Sequence, residues 1–389
     1  MKASASVLAL LLAAALPTAA ETNDSAEARL RDLTSLWEPG PGPILKGFHN
    51  LYNACVVRVP DDAYPFRLFF FGYAAEDHNP GYPGGDAIYL GRARDLHRWE
   101  IYAGERGWDA TEDPRTYVPI IVGDRKPYDG MANGDPSVVY RDGVYHMALS
   151  SVGFDARKDA EGVERLYVVN CVLGATSTDG VTWTKTAAPI AIWDQEYERG
   201  YEIIDGEIPP APDDFKGGYH RPSLMYDEGR WKLWFDYYLP GTFLSMGYAE
   251  CAGRFDDPDA WTVLHAGDAP LIRDWANPSV VRVGDVYVSF ADPPGYPSEM
   301  GGDGRQTTVA TSRDGIAWRV RGHIRPDGAA SSHVPQASVL EIDGERWVYV
   351  FYAWKPARLE GEPWDFRYKQ IRYVRCREAD LVRWAEQSE

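Results

Sequence analysis

Five times along this chain an Asp is followed four residues later by a Trp: Asp95/Trp99, Asp179/Trp183, Asp257/Trp261, Asp314/Trp318 and Asp380/Trp384. Some forty to fifty residues upstream of each Trp lies a second recurring element, a β-branched run opened by a polar residue. Its copies read Asn53-Ala-Cys-Val-Val, Asp135-Pro-Ser-Val-Val, Arg221-Pro-Ser-Leu-Met, Asn277-Pro-Ser-Val-Val and Gln336-Ala-Ser-Val-Leu. Four of these runs lead through a Gly-containing turn into a second strand, as in Tyr140-Arg-Asp-Gly-Val-Tyr and Ile342-Asp-Gly-Glu-Arg-Trp, and Asp-Gly steps favour tight hairpins. A self-similar unit of short strands with a periodic aromatic signature is the pattern of propeller blades. Five units predict an all-β, five-bladed β-propeller with four antiparallel strands per blade. The polar openers Asn53, Asp135, Arg221, Asn277 and Gln336 should then ring one mouth of the central channel. Strand antiparallelism brings the ends of second strands and the starts of third strands to that same face. The repeated Asp and Trp are structural in this reading, the Asp capping a turn and the Trp packing between blades, because a residue present in every blade cannot mark one site.

The first twenty residues read as a signal peptide. Met1-Lys2 is a short basic start, Val7 to Leu16 an apolar core, and Thr18-Ala19-Ala20 a small-residue cleavage site. Secretion or a periplasmic location follows as the expectation. Residues 21–45 form a polar lead expected to tether across the propeller surface, and residues 46–389 the propeller itself. A net charge of −18, without a Lys/Arg cluster, speaks against nucleic acid and anionic membrane surfaces as partners. The four Cys fall in different blades without metal-ligand spacing, so they read as small buried residues and no metal centre is expected. No phosphate loop, dinucleotide fingerprint or nucleophile elbow stands out, and no organic cofactor is implied.

Three long connections, Glu76 to Asp86, Asp194 to Tyr219 and Asp292 to Asp303, are rich in Gly, Pro, aromatics and acids. Aromatic faces beside carboxylates, amides and Arg suit a sugar, whose ring stacks through C–H patches and whose hydroxyls bond bidentately. A carbohydrate is therefore the expected partner.

The segment Asn133-Gly-Asp135-Pro-Ser-Val-Val-Tyr-Arg-Asp-Gly-Val-Tyr-His, its echoes in the other blades, and the Ser-x-Asp-Gly-x-x-Trp turns at 177–183 and 312–318 resemble the five-bladed glycoside hydrolases. These are families 43 and 117, the propeller domain of family 32, and related mannoside phosphorylases, and the resemblance covers residues from about 46 to 387. Six-bladed sialidases are set aside, since their aromatic lies one residue further on and the blade count differs. In family 43 an Asp opening blade 1 is the general base, an Asp opening blade 2 tunes the site, and a Glu beside the blade-3 Pro is the general acid. Asp135 matches the second of these. The first position holds Asn53, which cannot take a proton, and the third holds His220, a residue type that family 117 is thought to use as acid. The resemblance also leaves room for a structural calcium in the channel.

Strand order nominates further groups at the mouth. Asp236 and Asp292 close second strands, and Asp86 opens a third. Candidate catalytic residues are thus Asp135, His220, Asp236 and Asp292. Candidate sugar contacts are His49, Asn53, Asp86, Arg221, Asn277, His333 and Gln336. The expected activity is inverting acid/base hydrolysis of a plant or algal poly- or oligosaccharide. Two alternatives stand beside it: a binding propeller that has lost its base and acid, and a phosphorylase holding phosphate at His220/Arg221.

Overall fold

The computed structural model describes residues 31–60, 62–73, 87–110, 113–124, 128–130, 132–158, 162–193, 215–293, 305–325, 331–355 and 368–387. Asp86, most of the three long connections and the expected signal peptide lie outside these residues. Two short strands come first, β1 (Glu38–Pro39) and β2 (Leu45–Lys46). Blade 1 follows with β3 (Asn50–Arg58), β4 (Phe66–Tyr73), β5 (Ala87–Ala93), β6 (Trp99–Tyr102) and an added edge, β7 (Trp108–Asp109). Blade 2 is β8 (Ala132–Arg141), β9 (Val144–Lys158), β10 (Glu164–Ser177) and β11 (Thr184–Lys185), and blade 3 is β12 (Gly217–Asp227), β13 (Arg230–Tyr238), β14 (Ser245–Cys251) and β15 (Trp261–His265). Blade 4 comprises β16 (Ser279–Val283), β17 (Val286–Ala291), β18 (Thr307–Ser312) and β19 (Arg319–Ile324). Blade 5 has β20 (Ser331–Ile342), β21 (Glu345–Lys355) and β22 (Gln370–Arg377), and every blade pairing is antiparallel. The five-bladed propeller is therefore the fold.

Its closure corrects two expectations. The lead is part of the propeller and not a surface tether: β1 pairs with β22 as the outer strand of blade 5, and β2 pairs further along the same strand. Just before it, Leu33 N–H donates to His323 O and His323 N–H donates to Arg31 O, so the lead also lines the outer edge of blade 4. Leu33 and Trp37 are buried among Val288, Phe290, Val350 and Val374 of blades 4 and 5. With that outer edge filled, the fifth Asp/Trp pair has no strand to precede. Asp380 and Trp384 lie instead on a C-terminal helix, α1 (Glu378–Gln387), where Asp380 pairs with Arg383.

The other four copies behave as read. Asp95, Asp179, Asp257 and Asp314 each accept one or two backbone N–H groups two and three residues on, closing the turn before the outer strand. Trp99, Trp183 and Trp318 donate their indole N–H to the carbonyl three residues back, and Trp183 lies edge-on to Phe69 of blade 1 at 5.8 Å between ring centres. Apolar side chains from facing sheets fill the spaces between blades, for example Phe69, Phe71 and Leu90 against Val138, Met147 and Leu173. All four Cys are buried and free.

One device is repeated at four of the five blade junctions and explains the Ser of the inner-strand motif. Ser137 Oγ accepts Leu224 N–H at 2.9 Å, Ser223 Oγ accepts Val280 N–H at 2.8 Å, and Ser279 Oγ accepts Ala337 N–H at 2.8 Å. Cys55 Sγ takes the same part toward Val138 N–H at 3.3 Å, and Ser338 Oγ donates to Val56 O at 2.7 Å to close the circle. Inner strands on a propeller axis cannot pair with each other along their length, so side chains satisfy these buried N–H groups.

Candidate functional site

Two residues ahead of that Ser, each inner strand turns its backbone into the left-handed region: Asn53, Asp135, Arg221 and Asn277 have φ of 49°, 47°, 49° and 54°. Pairing with the second strand skips a residue there in blades 1, 2, 3 and 5. A bulge of this kind re-aims a side chain, and it sets the four polar residues around one mouth of the channel. In blade 5 the left-handed residue is Val334, with φ of 48°. Gln336 is therefore not the fifth ring residue. It takes the position of Cys55, Ser137, Ser223 and Ser279, because Pro335 occupies the place of Pro136, Pro222 and Pro278.

Residues on or just after the second strands brace these turns. Ser150, Asp236 and Asp292 accept the backbone N–H of Arg221, Asn277 and Val334, the left-handed residue of the next blade in each case, at 2.7, 2.8 and 3.1 Å. Asp236 is fully buried, and its carboxylate also takes His220 Nδ1 at 2.7 Å and the Arg221 guanidinium at 3.4 Å. Asp292, equally buried, is bonded by Asn277 Nδ2, His333 Nδ1 and Arg305, the last at 3.2 Å. Burial alone would raise the Asp292 carboxyl, yet the charges of His333 and Arg305 with the bonds from His333 and Asn277 hold it down at about 2. Such a group has no proton to deliver near neutrality, which speaks against the acid role among the proton transfers for which strand order nominated Asp292. The Asp236 carboxylate meets His220 Nδ1 in a matching contact.

Asp135 differs. Burial pushes its carboxyl up, and the Arg221 charge and a bond with Ser150 only partly offset this. Its one amide contact is Asn53 Nδ2 at 3.4 Å. Arg221, half-buried beside Asp236, is held firmly charged by Asp236 and Asp135 although desolvation opposes that charge. The ring thus carries one carboxyl whose proton affinity burial raises and a neighbouring His whose Nδ1 is anchored on an aspartate.

Two acceptors complete the mouth. Asn53 and Asn277 each spend Nδ2 on a carboxylate, Asp135 and Asp292 respectively, and their fully buried Oδ1 atoms have no hydrogen-bond partner among the described residues. Buried acceptors of this kind are ordinarily satisfied by protein, water or a bound molecule. Around blades 5 and 1, His333 stacks on Tyr368 at 4.8 Å with Tyr52 edge-on at 5.9 Å. Asn50 ties this wall together, its Oδ1 taking Tyr368 N–H at 3.0 Å and its Nδ2 reaching Tyr52 Oη at 2.7 Å. His49 is only half-buried and lies against Tyr73 at 5.1 Å. Sequence reading missed Ser150, Arg305, Tyr52 and Tyr368. Arg305 could have been found, since it opens the approach to the third strand of blade 4, which the topology assigns to the mouth. Among the described residues no group of three or more metal-ligating side chains is gathered.

No protein-family model matches the chain, and no curated protein matches it. Solved structures do. A complex of BT0996 with RGII aligns at a TM-score of 0.55 and 15% identity over 88% of this chain and 91% of that protein. A family 117 glycoside hydrolase, Zg3597 from the marine bacterium Zobellia galactanivorans, aligns at 0.55 and 12% identity over 88% and 91%. A further structure described as a glycoside hydrolase aligns at 0.53 and 14% identity over 92% and 96%. The whole propeller is shared with these proteins.

Proposed function

We propose that this chain is a glycoside hydrolase that works at the ringed mouth of the channel, with Asp135 as central carboxylate and His220, anchored on Asp236, as the acid that protonates the leaving oxygen. One observation carries the reading: a carboxyl raised by burial and a carboxylate-backed His sit on adjacent inner strands, bridged by Arg221. Paired groups with different proton affinities are what acid/base cleavage of a glycosidic bond requires. The unpaired Asn53 and Asn277 oxygens and the Tyr52/Tyr368 wall supply hydroxyl acceptors and a stacking face for a sugar. The likeness to glycoside hydrolase propellers supports the same reaction class, and the resemblance of the inner-strand motifs supports an inverting attack on a plant or algal poly- or oligosaccharide. Export, to the periplasm or beyond, is supported by the basic start, apolar run and small-residue site of residues 1–20.

The specific observation favouring a pure binding propeller is Asn53, which stands where a base is needed. The two readings separate on whether any linkage is cleaved, and within the hydrolase reading the acid role of His220 shows in leaving-group dependence. His220→Gln is expected to slow hydrolysis of substrates with poor leaving groups by at least about a hundredfold while sparing activated aryl glycosides, which need little protonation. Equal losses on both substrate types would remove His220 from the acid role.

A further inference from the structure

With blade 5 in its observed register, the residues that immediately precede the left-handed turns can be compared across the ring. They are Tyr52, Gly134, His220, Ala276 and His333. Two of the five are His, in blades 3 and 5, which are not neighbours in the ring, so the two imidazoles come from separate sectors of the mouth. Both are anchored alike. His220 Nδ1 meets Asp236 at the end of the second strand of its own blade. His333 Nδ1 meets Asp292 at the end of the second strand of the preceding blade. In each case the same carboxylate also holds the N–H of a left-handed turn, that of Asn277 or of Val334. The His333 support is the more elaborate, since Arg305 donates to Asp292 at 3.2 Å and Tyr368 stacks on the ring. It also holds a strained backbone: a β-branched residue such as Val334 rarely adopts positive φ, and strain of this kind gathers at functional sites.

We propose that His333, positioned by Asp292, is the base that activates water, supplying at blade 5 the role that Asn53 cannot supply at blade 1. This inference rests on the hydrolase reading above. A His whose Nδ1–H is given to a carboxylate presents Nε2 as its basic nitrogen, and the carboxylate stabilises the imidazolium that forms. In the step envisaged, a water oxygen bonds to the anomeric carbon as its proton passes to His333 Nε2. The bond from that carbon to the leaving oxygen breaks with its electron pair on oxygen, which takes the proton from His220 Nε2. Exchange with solvent then removes the proton from His333 and returns one to His220. Asp292 needs to remain ionised throughout, and the bonds from Arg305 and Asn277 Nδ2 are present whether His333 is neutral or charged.

The test uses the full-length protein, oligosaccharides and activated aryl glycosides hydrolysed by the wild type, and the variant His333→Asn, whose side-chain amide can still donate to Asp292. A lost base hurts every substrate, whatever its leaving group. Turnover is expected to fall at least about a hundredfold on both substrate types, and sodium azide, which attacks without needing deprotonation, should restore cleavage and yield a glycosyl azide. Rescue also shows that the variant is folded; where His333→Asn gives too little protein, His333→Gln takes its place. Turnover within about threefold of wild type, a loss limited to poor leaving groups, or a loss that azide does not rescue would each overturn the role of His333 and leave the hydrolase reading standing. A wild type that cleaves none of the substrates removes both.

Discussion

Replacing Asp135 by Asn is expected to lower turnover by at least about a hundredfold while the thermal midpoint stays level or rises. The stability half of this expectation follows from linkage. Burial raises the folded-state pKa of Asp135 above its ordinary value of 3.8. A carboxyl raised in this way favours folding at pH below its unfolded value and loses that contribution as pH rises through the folded value. At neutral pH the ionised group is thus a net cost that an amide of the same shape does not carry. Arg221 keeps a partner in the variant, because Asp236 still lies at 3.4 Å. A variant that kept most of its turnover would take Asp135 out of the mechanism. One that lost stability and turnover together would make it a structural residue.

Asp292→Ala should have the largest effect on stability, about 3–5 kcal/mol, the usual consequence of removing one partner of a buried ion pair. Arg305 is buried, and Asp292 is the carboxylate it contacts among the described residues' ion pairs. The substitution also takes away the acceptor of Val334 N–H and of Asn277 Nδ2. Urea unfolding of the two proteins measures this directly, and a difference under about 1 kcal/mol would show that the cluster does not brace blades 4 and 5. The pH dependence has the opposite sign from that of Asp135. With the folded pKa depressed from 3.8 to about 2, the stabilisation is present above 3.8 and is lost as pH falls through about 2. The depression corresponds to about 2 kcal/mol, which the Ala variant should not show.

The parts of this molecule that the sequence made legible are those written locally. An Asp that caps a turn two residues on, a Trp three residues after a Gly, and an Asp-Gly hairpin with φ of 53° at Asp142 and 81° at Gly143 all involve near neighbours in sequence. What escaped reading was set by distant segments. The register of blade 5 slipped by two residues because Gln336-Ala-Ser-Val imitates the motif, whereas the turn falls on Val334, a residue type that no propensity would place at positive φ. The last Asp/Trp pair became helical because residues from the other end of the chain had already completed its blade. The pairing of His333 with Asp292 spans 41 residues and two blades, and nothing in either local sequence announces it.

The measurement that bears most directly on the central claim is to incubate the purified protein with a broad panel of plant and algal oligosaccharides and to follow the mixtures by proton NMR from the first minutes. The account predicts cleavage of at least one glycosidic linkage, with the newly released reducing end appearing first as the anomer opposite to that in the substrate. Saturable binding of an oligosaccharide at the mouth, with every linkage intact after prolonged incubation, would contradict it and identify the propeller as a carbohydrate-binding module.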